Sequence, residues 1–289
     1  MRHILPLAAL ALATVGCAKN IPIAEGECSD LLKETFRDAS FETEEEEEAL
    51  QSLLLGMHTE CMGNLADDVK DRALNPGPLT AEYLDGLPQP EGTTPEEQTP
   101  VGLNSRSAFP LSKHLEGMQD TNQNCMGSDS TKYSTKVWTD GEECFFDGTC
   151  STATSTGLSL TKNILATVWI ESFADYYRTT IPFEDGEVEA IVSRGWIAET
   201  FKSGQDGDGG SEWRQRYVLD VYYVDPADDS KTLRYYMFWS EASLPGVGDD
   251  LYVAQVRDGL EENFANVDAF FGGEICDDRD MTEDEAKEL

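Results

Sequence analysis

From Trp213 to Val224 the chain changes character at every step. Trp213, Gln215, Tyr217, Leu219, Val221 and Tyr223 fall on one side of an extended strand, and Arg214, Arg216, Val218, Asp220, Tyr222 and Val224 fall on the other. A period of two predicts a β-strand with one nearly apolar face and one mixed face. Three further stretches, 163–182, 187–201 and 232–242, share its enrichment in β-branched and aromatic residues, and turn clusters such as FEDGE, SGQDGDGGS and ADDSK separate them. Short connections of this kind predict an antiparallel meander of four strands. The first stretch also suits a helical period through Ile164, Val168 and Glu171. After Pro245 and Gly248 the period lengthens: Val253, Val256, Leu260, Phe264, Val267 and Phe271 recur at steps of three and four, and Gly272 and Gly273 stop the run. A helix laid on one face of the sheet makes the fold class α+β.

The amino-terminal half follows other rules. Leu31, Leu32, Thr35 and Phe36 form one helical stripe, and Leu50, Leu53, Leu54 and Met57 form another. They predict a hairpin of two helices. The acidic run TEEEEEA, from Thr43 to Ala49, reads as the solvated start of the second helix, with Thr43 and Glu46 spaced as a capping box. Between Asn75 and Pro110 lie Pro76, Pro78, Pro88, Pro90, Pro95, Pro100 and Pro110 with few apolar residues, which predicts an extended linker with at most a helical turn near Tyr83. Residues 111–157 are rich in Ser, Thr and Gly and contain Cys125, Cys144 and Cys150, the composition of a polar loop region. The expected organisation is therefore a hairpin within 17–74, a linker over 75–110, the cysteine-containing loops of 111–157, an α+β core over 158–276 and an acidic tail over 277–289. That tail starts with a second capping box, Thr282 and Glu285.

The first residues form a separate case. Arg2 and His3 precede an apolar stretch from Ile4 to Val15 that is too short for the ~20 residues of a membrane-spanning helix. Such a start reads as an export signal over residues 1–16. The segment LATVGCAKN, with Gly16 before Cys17, resembles the lipobox of bacterial lipoproteins, with Thr14 where that family usually has Leu, Val or Ile. The resemblance implies a diacylglycerol on Cys17, a membrane held through that anchor as partner, and, because Ala18 rather than Asp follows, the outer membrane, facing the periplasm or the surface. Cleavage after Ala13 or Ala18 would instead give a soluble secreted protein.

With Cys17 set aside, six cysteines remain, at 28, 61, 125, 144, 150 and 276, an even number for an oxidising compartment. A back-folded hairpin brings Cys28 and Cys61 together. Their bridge would close a loop of about 34 residues, worth ~4 kcal/mol in the chain-entropy model. Cys144 pairs with Cys150 or Cys125, and Cys276 with the remaining partner.

Charge narrows the function. Lys plus Arg number 21 against 56 Asp plus Glu, a formal charge of -35, so the surface repels phosphate backbones and nucleic acid is not an expected partner. No cofactor is expected, since G-x-S-x-G, H-E-x-x-H and phosphate-loop motifs are absent. His58 and Cys61 have a metal-ligand spacing, although Cys61 is better placed in a disulfide. Asp206, Asp208 and Glu212 form a weak calcium candidate that lacks the full ligand set of an EF-hand. The scarce cations draw more notice. Arg178, Arg194, Arg214, Arg216 and Arg234 all fall in or beside predicted strands. They either pair with acids such as Glu171, Asp175 and Asp220 or, with Trp196, Tyr222 and Tyr236 as walls, line a face that binds an anionic or amphipathic ligand. The leading expectation is a non-enzymatic envelope lipoprotein with a binding or structural role toward an unspecified protein or small molecule. A small-ligand or lipid carrier with a curved sheet is the first alternative. A hydrolase using carboxylates such as Glu171 and Asp175 is the second.

Overall fold

The computed structural model describes residues 27–61, 71–84, 86–162, 167–203, 210–273 and 282–287. The signal segment, Cys17, Asp206, Asp208 and Cys276 lie outside them. The described chain is α+β, as expected, but its sheet is more than twice as wide as the predicted meander.

Two helices come first, α1 (Glu27–Asp38) and α2 (Glu44–Cys61). The predicted capping box is formed: the Glu46 amide donates to Thr43 Oγ1 at 3.3 Å and the Thr43 amide donates to Glu46 Oε2 at 3.1 Å. Leu32, Thr35 and Phe36 from α1 and Leu50, Leu54 and Met57 from α2 are buried, and the Cys28–Cys61 disulfide closes the far end.

The sheet strands follow: β1 (Asp71–Leu74), β2 (Thr99–Ser107), β3 (Thr131–Asp140), β4 (Thr152–Lys162), β5 (Thr167–Phe183), β6 (Gly186–Trp196), β7 (Phe201–Lys202), β8 (Glu212–Asp225) and β9 (Asp228–Ser243). They pair antiparallel in the order β1-β2-β9-β8-β6-β5-β4-β3, with β7 alongside the start of β8. Of the first predicted strand, residues from Thr167 onward are extended as β5, with Val168 and Glu171 on the strand period, whereas Ile164 lies outside the described residues. Short helices α3 (Leu111–Gln119) and α4 (Glu142–Asp147) interrupt the strands. The long α5 (Asp249–Phe271) ends at Gly272 and Gly273, and α6 (Glu283–Lys287) starts from the Thr282–Glu285 capping box.

Two expectations are corrected. Residues 75–110 do not form a free linker, because β2 is held between β1 and β9, and Leu79 and Leu84 are buried in the main core. Prolines are tolerated there because β1 stops opposite Gly102, so Pro100 sits where the outer side of β2 needs no donor. Residues 111–157 are not a loop region either. They supply α3, β3, α4 and the start of β4, and Cys144 is bridged to Cys150, one of the two partners expected for it, closing the α4 turn. Cys125 is also disulfide-bonded. One continuous sheet thus joins stretches that composition had separated into linker, loops and core.

The two faces of β8 have different fates. Tyr217, Leu219, Val221 and Tyr223 face the α1–α2 hairpin in the main core, together with Val192, Tyr235, Met237 and Trp239. The hairpin, and not the carboxy-terminal helix, covers the apolar face. The polar tips of its aromatics are satisfied: Tyr235 donates to the Met57 carbonyl at 3.0 Å and Trp239 Nε1 to the Gly77 carbonyl at 2.8 Å. The mixed face looks the other way, toward α3 and α5.

Candidate functional site

Helix α5 packs closely at one side of the mixed face, where Leu260 and Phe264 meet Val101 and Leu103 of β2. Farther across the sheet it stands off. Asn263 and Asn266 hold it instead to the loop before β3, donating to the carbonyls of Met126 and Gly127 at 2.6 and 2.7 Å. The space left open is a cavity of ≈ 380 Å³. Its floor is Ser155, Tyr176, Ser193, Arg216, Asp220 and Tyr236, its roof Asn263, Val267 and Phe271 of α5, and its end wall His114 and Gly117 of α3. Gly117 is required there, since a Cβ at this position would lie 2.9 Å from the Phe271 ring. The volume lies in the range of small-molecule sites, and the lining mixes aromatic rings with many hydroxyls.

Three of the lining residues carry buried polar atoms without a hydrogen-bond partner: His114 Nε2, Arg216 Nε and Asp220 Oδ1. His114 stands edge-on to Phe271 at 5.0 Å, and burial, aided by the Arg234 charge, pushes its imidazole down to about 3, so it is neutral at pH 7. Burial also lowers the Arg216 guanidinium from its ordinary value.

Asp220 goes the other way. Burial pushes its carboxyl up to about 7, against the opposing effects of a 3.5 Å hydrogen bond from Ser193 Oγ and the Lys136 charge. The folded chain therefore keeps a proton that the unfolded chain releases near about pH 4. This group's contribution to stability is complete below that pH and is lost as the pH rises through about 7. A three-unit shift alone corresponds to roughly 4 kcal/mol. Discounted for solvent screening in an open cavity, the expected effect is about 2 kcal/mol. Asp220→Asn, neutral at every pH, is expected to match the parent at pH 4 and to exceed it by about 2 kcal/mol at pH 8 in urea unfolding.

The structure sorts the five predicted arginines by partner. Arg178 pairs with Glu189 and donates to the Phe145 carbonyl at 2.8 Å, and Arg194 lies on the hairpin side, 3.5 Å from Asp175. Arg214, at a bulge in β8, pairs with Glu241 and donates to the Gly92 carbonyl at 2.8 Å. Arg234 reaches Asp268 of α5 at 2.9 Å and covers the Phe264 ring at 4.2 Å. Among the described residues Arg216 alone of the five forms no ion pair. Of the predicted aromatic walls, Tyr222 and Tyr236 line the cavity, whereas Trp196 packs with the hairpin-side core and stacks on Phe173. Glu171 is exposed and Asp175 is committed to Arg194, so the two do not converge in a cleft. Asp220, expected to pair with an arginine, instead forms part of the cavity floor.

The metal candidates resolve differently. Cys61 is bridged to Cys28, and His58 Nδ1 lies 2.9 Å from the Tyr223 hydroxyl. Glu212 pairs with Lys202 at 3.2 Å, while Asp206 and Asp208 lie outside the described residues. Among the described residues no group of three His, Cys, Asp or Glu side chains is placed to hold a metal ion, and no helix is long and apolar enough to cross a membrane. Sequence reasoning missed His114, Ser193 and the hydroxyl wall of β3 and β4. The available signal was the run of β-branched Thr in 131–161, which favours strand even without apolar alternation.

No family model and no curated protein matches the sequence. Several solved structures are similar to it at low identity and with TM-scores below 0.5. A STAR-related lipid transfer protein from Xanthomonas axonopodis matches at 10% identity and TM-score 0.39 over 63% of this chain and 89% of its own. A START superfamily protein from Mycobacterium smegmatis matches at 12% identity and TM-score 0.36 over 60% of this chain and 97% of its own. Human STARD10 matches at 6% identity and TM-score 0.39 over 80% of this chain and 82% of its own.

Proposed function

We propose that the chain is a non-catalytic carrier of a small amphipathic molecule in the bacterial envelope, exported by residues 1–16 and held at the outer membrane by an acyl group on Cys17. The observation that carries the reading is the ≈ 380 Å³ cavity whose lining leaves polar atoms of His114, Arg216 and Asp220 without partners. Buried polar groups are costly unless paired, so a site with three of them is completed by a ligand or by water that a ligand replaces. Apolar rings beside them, Tyr222, Tyr236 and Phe271, suit the non-polar part of an amphiphile. Cys28–Cys61 and Cys144–Cys150 support maturation in an oxidising compartment, as the export reading requires.

Mass spectrometry of the protein purified from membranes tests both halves. The expected result is an acyl mass at Cys17 and a co-purifying small molecule released on denaturation. Ala174 lines the cavity on β5, and Ala174→Phe is expected to fill that space and abolish the retained molecule while the thermal midpoint stays within a few degrees. A parent protein without retained molecule, or a variant that retains it equally, would overturn the carrier reading. An unmodified Cys17 would overturn the anchor.

A further inference from the structure

The cavity reading leaves the ligand's chemistry open, and Arg216 and Asp220 narrow it. Both lie on the mixed face of β8, four residues apart, which on an extended strand is roughly 13 Å. That is too far for them to neutralise each other. Val218 lies between them on the same face, and the cross-strand neighbours of Val218 and Asp220 on β9 are Phe238 and Tyr236. The lining thus runs from a guanidinium, past the rings of Phe238 in the adjoining space and Tyr236, to a carboxyl that shares a hydrogen bond with Ser193.

The two ends ask for different groups. Arg216 lines both the main cavity and an adjoining space of ≈ 240 Å³ closed by Tyr252 and Val256 of α5, so its head group sits at a junction where a ligand can reach it from the cavity. Each of the other four strand arginines has a carboxylate of the chain; this one does not. A guanidinium presents a planar fork that matches one carboxylate in bidentate fashion. Lys136, also in the lining, already donates to the Met118 carbonyl at 2.7 Å and lies over the Trp138 and Tyr176 rings. Among the residues lining the cavity Arg216 is thus the one guanidinium, and its single fork suits a carboxylate. The overall charge of -35 opposes an anion outside, but salt screens that field within about 8–10 Å, so the local cation decides affinity. At the other end, Asp220 Oδ1 lacks a donor.

We infer that the ligand class is a monocarboxylate amphiphile whose far end carries a hydroxyl: the carboxylate pairs with Arg216, the chain lies over Tyr236, and the hydroxyl donates to Asp220. This rests on the carrier reading and specifies what is carried. The probes are ω-hydroxydodecanoate, whose extended length is of the order of the Arg216–Asp220 separation, with dodecanoate and dodecanediol as single-end controls.

Isothermal titration of the full mature chain should show ω-hydroxydodecanoate binding about 10- to 100-fold more tightly than dodecanediol, as a charge-assisted pair predicts. Arg216→Met should erase that gap while still binding the diol, and Arg216→Lys should restore part of it. Dodecanoate should bind about 2- to 10-fold more weakly than its hydroxy analogue, a difference lost in Asp220→Ala. Circular dichroism melts establish that each variant is folded, and the diol serves as the binding control. Equal binding of acid and diol by the parent, with Ala174→Phe abolishing both, would overturn the carboxylate assignment and leave the carrier reading standing. Binding of none of the probes by the parent would overturn the inference, whereas a molecule retained through purification would still support a carrier. Loss of diol and acid together in Arg216→Met would mean a structural role and would also overturn it.

Discussion

Phe36→Ala should destabilise the whole sheet domain by about 3–5 kcal/mol, lowering its single thermal transition by about 10 °C. Phe36 sits on α1, far in sequence from the strands it touches, yet it is 0% exposed. Its ring meets Tyr217 of β8 edge-on at 6.1 Å and Trp239 of β9 at 5.3 Å. Truncation removes both contacts and leaves a cavity between α1 and two central strands, where the backbone cannot collapse because both strands are paired on each side. The measurement is calorimetry of parent and variant. A hairpin attached through a free linker would behave otherwise, with a weakened first transition and an unchanged sheet transition. That outcome would mean that the hairpin is not part of the sheet's core.

The same residues explain how far the sequence carried. Both helical stripes, both capping boxes, the stop of α5 at Gly272 and Gly273, and the strands β6, β8 and β9 all follow from local period and capping chemistry, which act within one turn or one strand. Burial of an apolar face could be read from β8 alone. Which helix covers it could not, because α1, α2 and α5 all offer an apolar stripe. The Cys28–Cys61 pairing was legible for a geometric reason: a hairpin of two helices must return to its origin.

The misses have one cause, polarity read as exposure. In β2, Asn104, Ser105 and Ser107 are fully buried, yet each has a use: Asn104 donates to the Cys61 carbonyl at 3.3 Å, Ser105 accepts from Arg234 Nε at 2.8 Å and Ser107 donates to Asp268 at 2.8 Å. A strand between two helical layers needs such groups, and its composition then resembles a loop. Strands β3 and β4 are polar for another reason, since Ser134, Ser155, Ser159 and Thr161 face a cavity and not a packed core. The free side of β3 is shielded in turn by residues 121–123, through hydrogen bonds such as Lys136 amide to Thr121 carbonyl at 2.9 Å. Arg216 could be singled out with its four companions but not from them. The distinction depends on Glu189, Asp175, Glu241 and Asp268, which reach the others from distant elements.

Replacing Cys28 and Cys61 together by Ala should cost about 4 kcal/mol at 25 °C, close to the Phe36→Ala effect but with a different origin. The bridge spans a separation of 33 residues with the Cα atoms 5.1 Å apart, and its loss mainly frees the unfolded chain, for which the chain-entropy estimate at this loop length is ~4 kcal/mol. Both side chains are buried, so the alanines also leave a small void in the core cluster to which they belong. The folded structure, including the cavity across the sheet, should persist, because the hairpin keeps Tyr235 on the Met57 carbonyl and Phe36 between Tyr217 and Trp239. Two measurements separate this account from its rivals. Urea unfolding should shift the midpoint, with the slope rising modestly as the unfolded state expands. Adding a reductant to the parent should reproduce the shift and leave the double variant changed only by what the remaining bridges contribute. If reductant and substitution both leave the midpoint within about 1 kcal/mol of the parent, the bridge contributes little, and the export reading loses the support it draws from this cross-link.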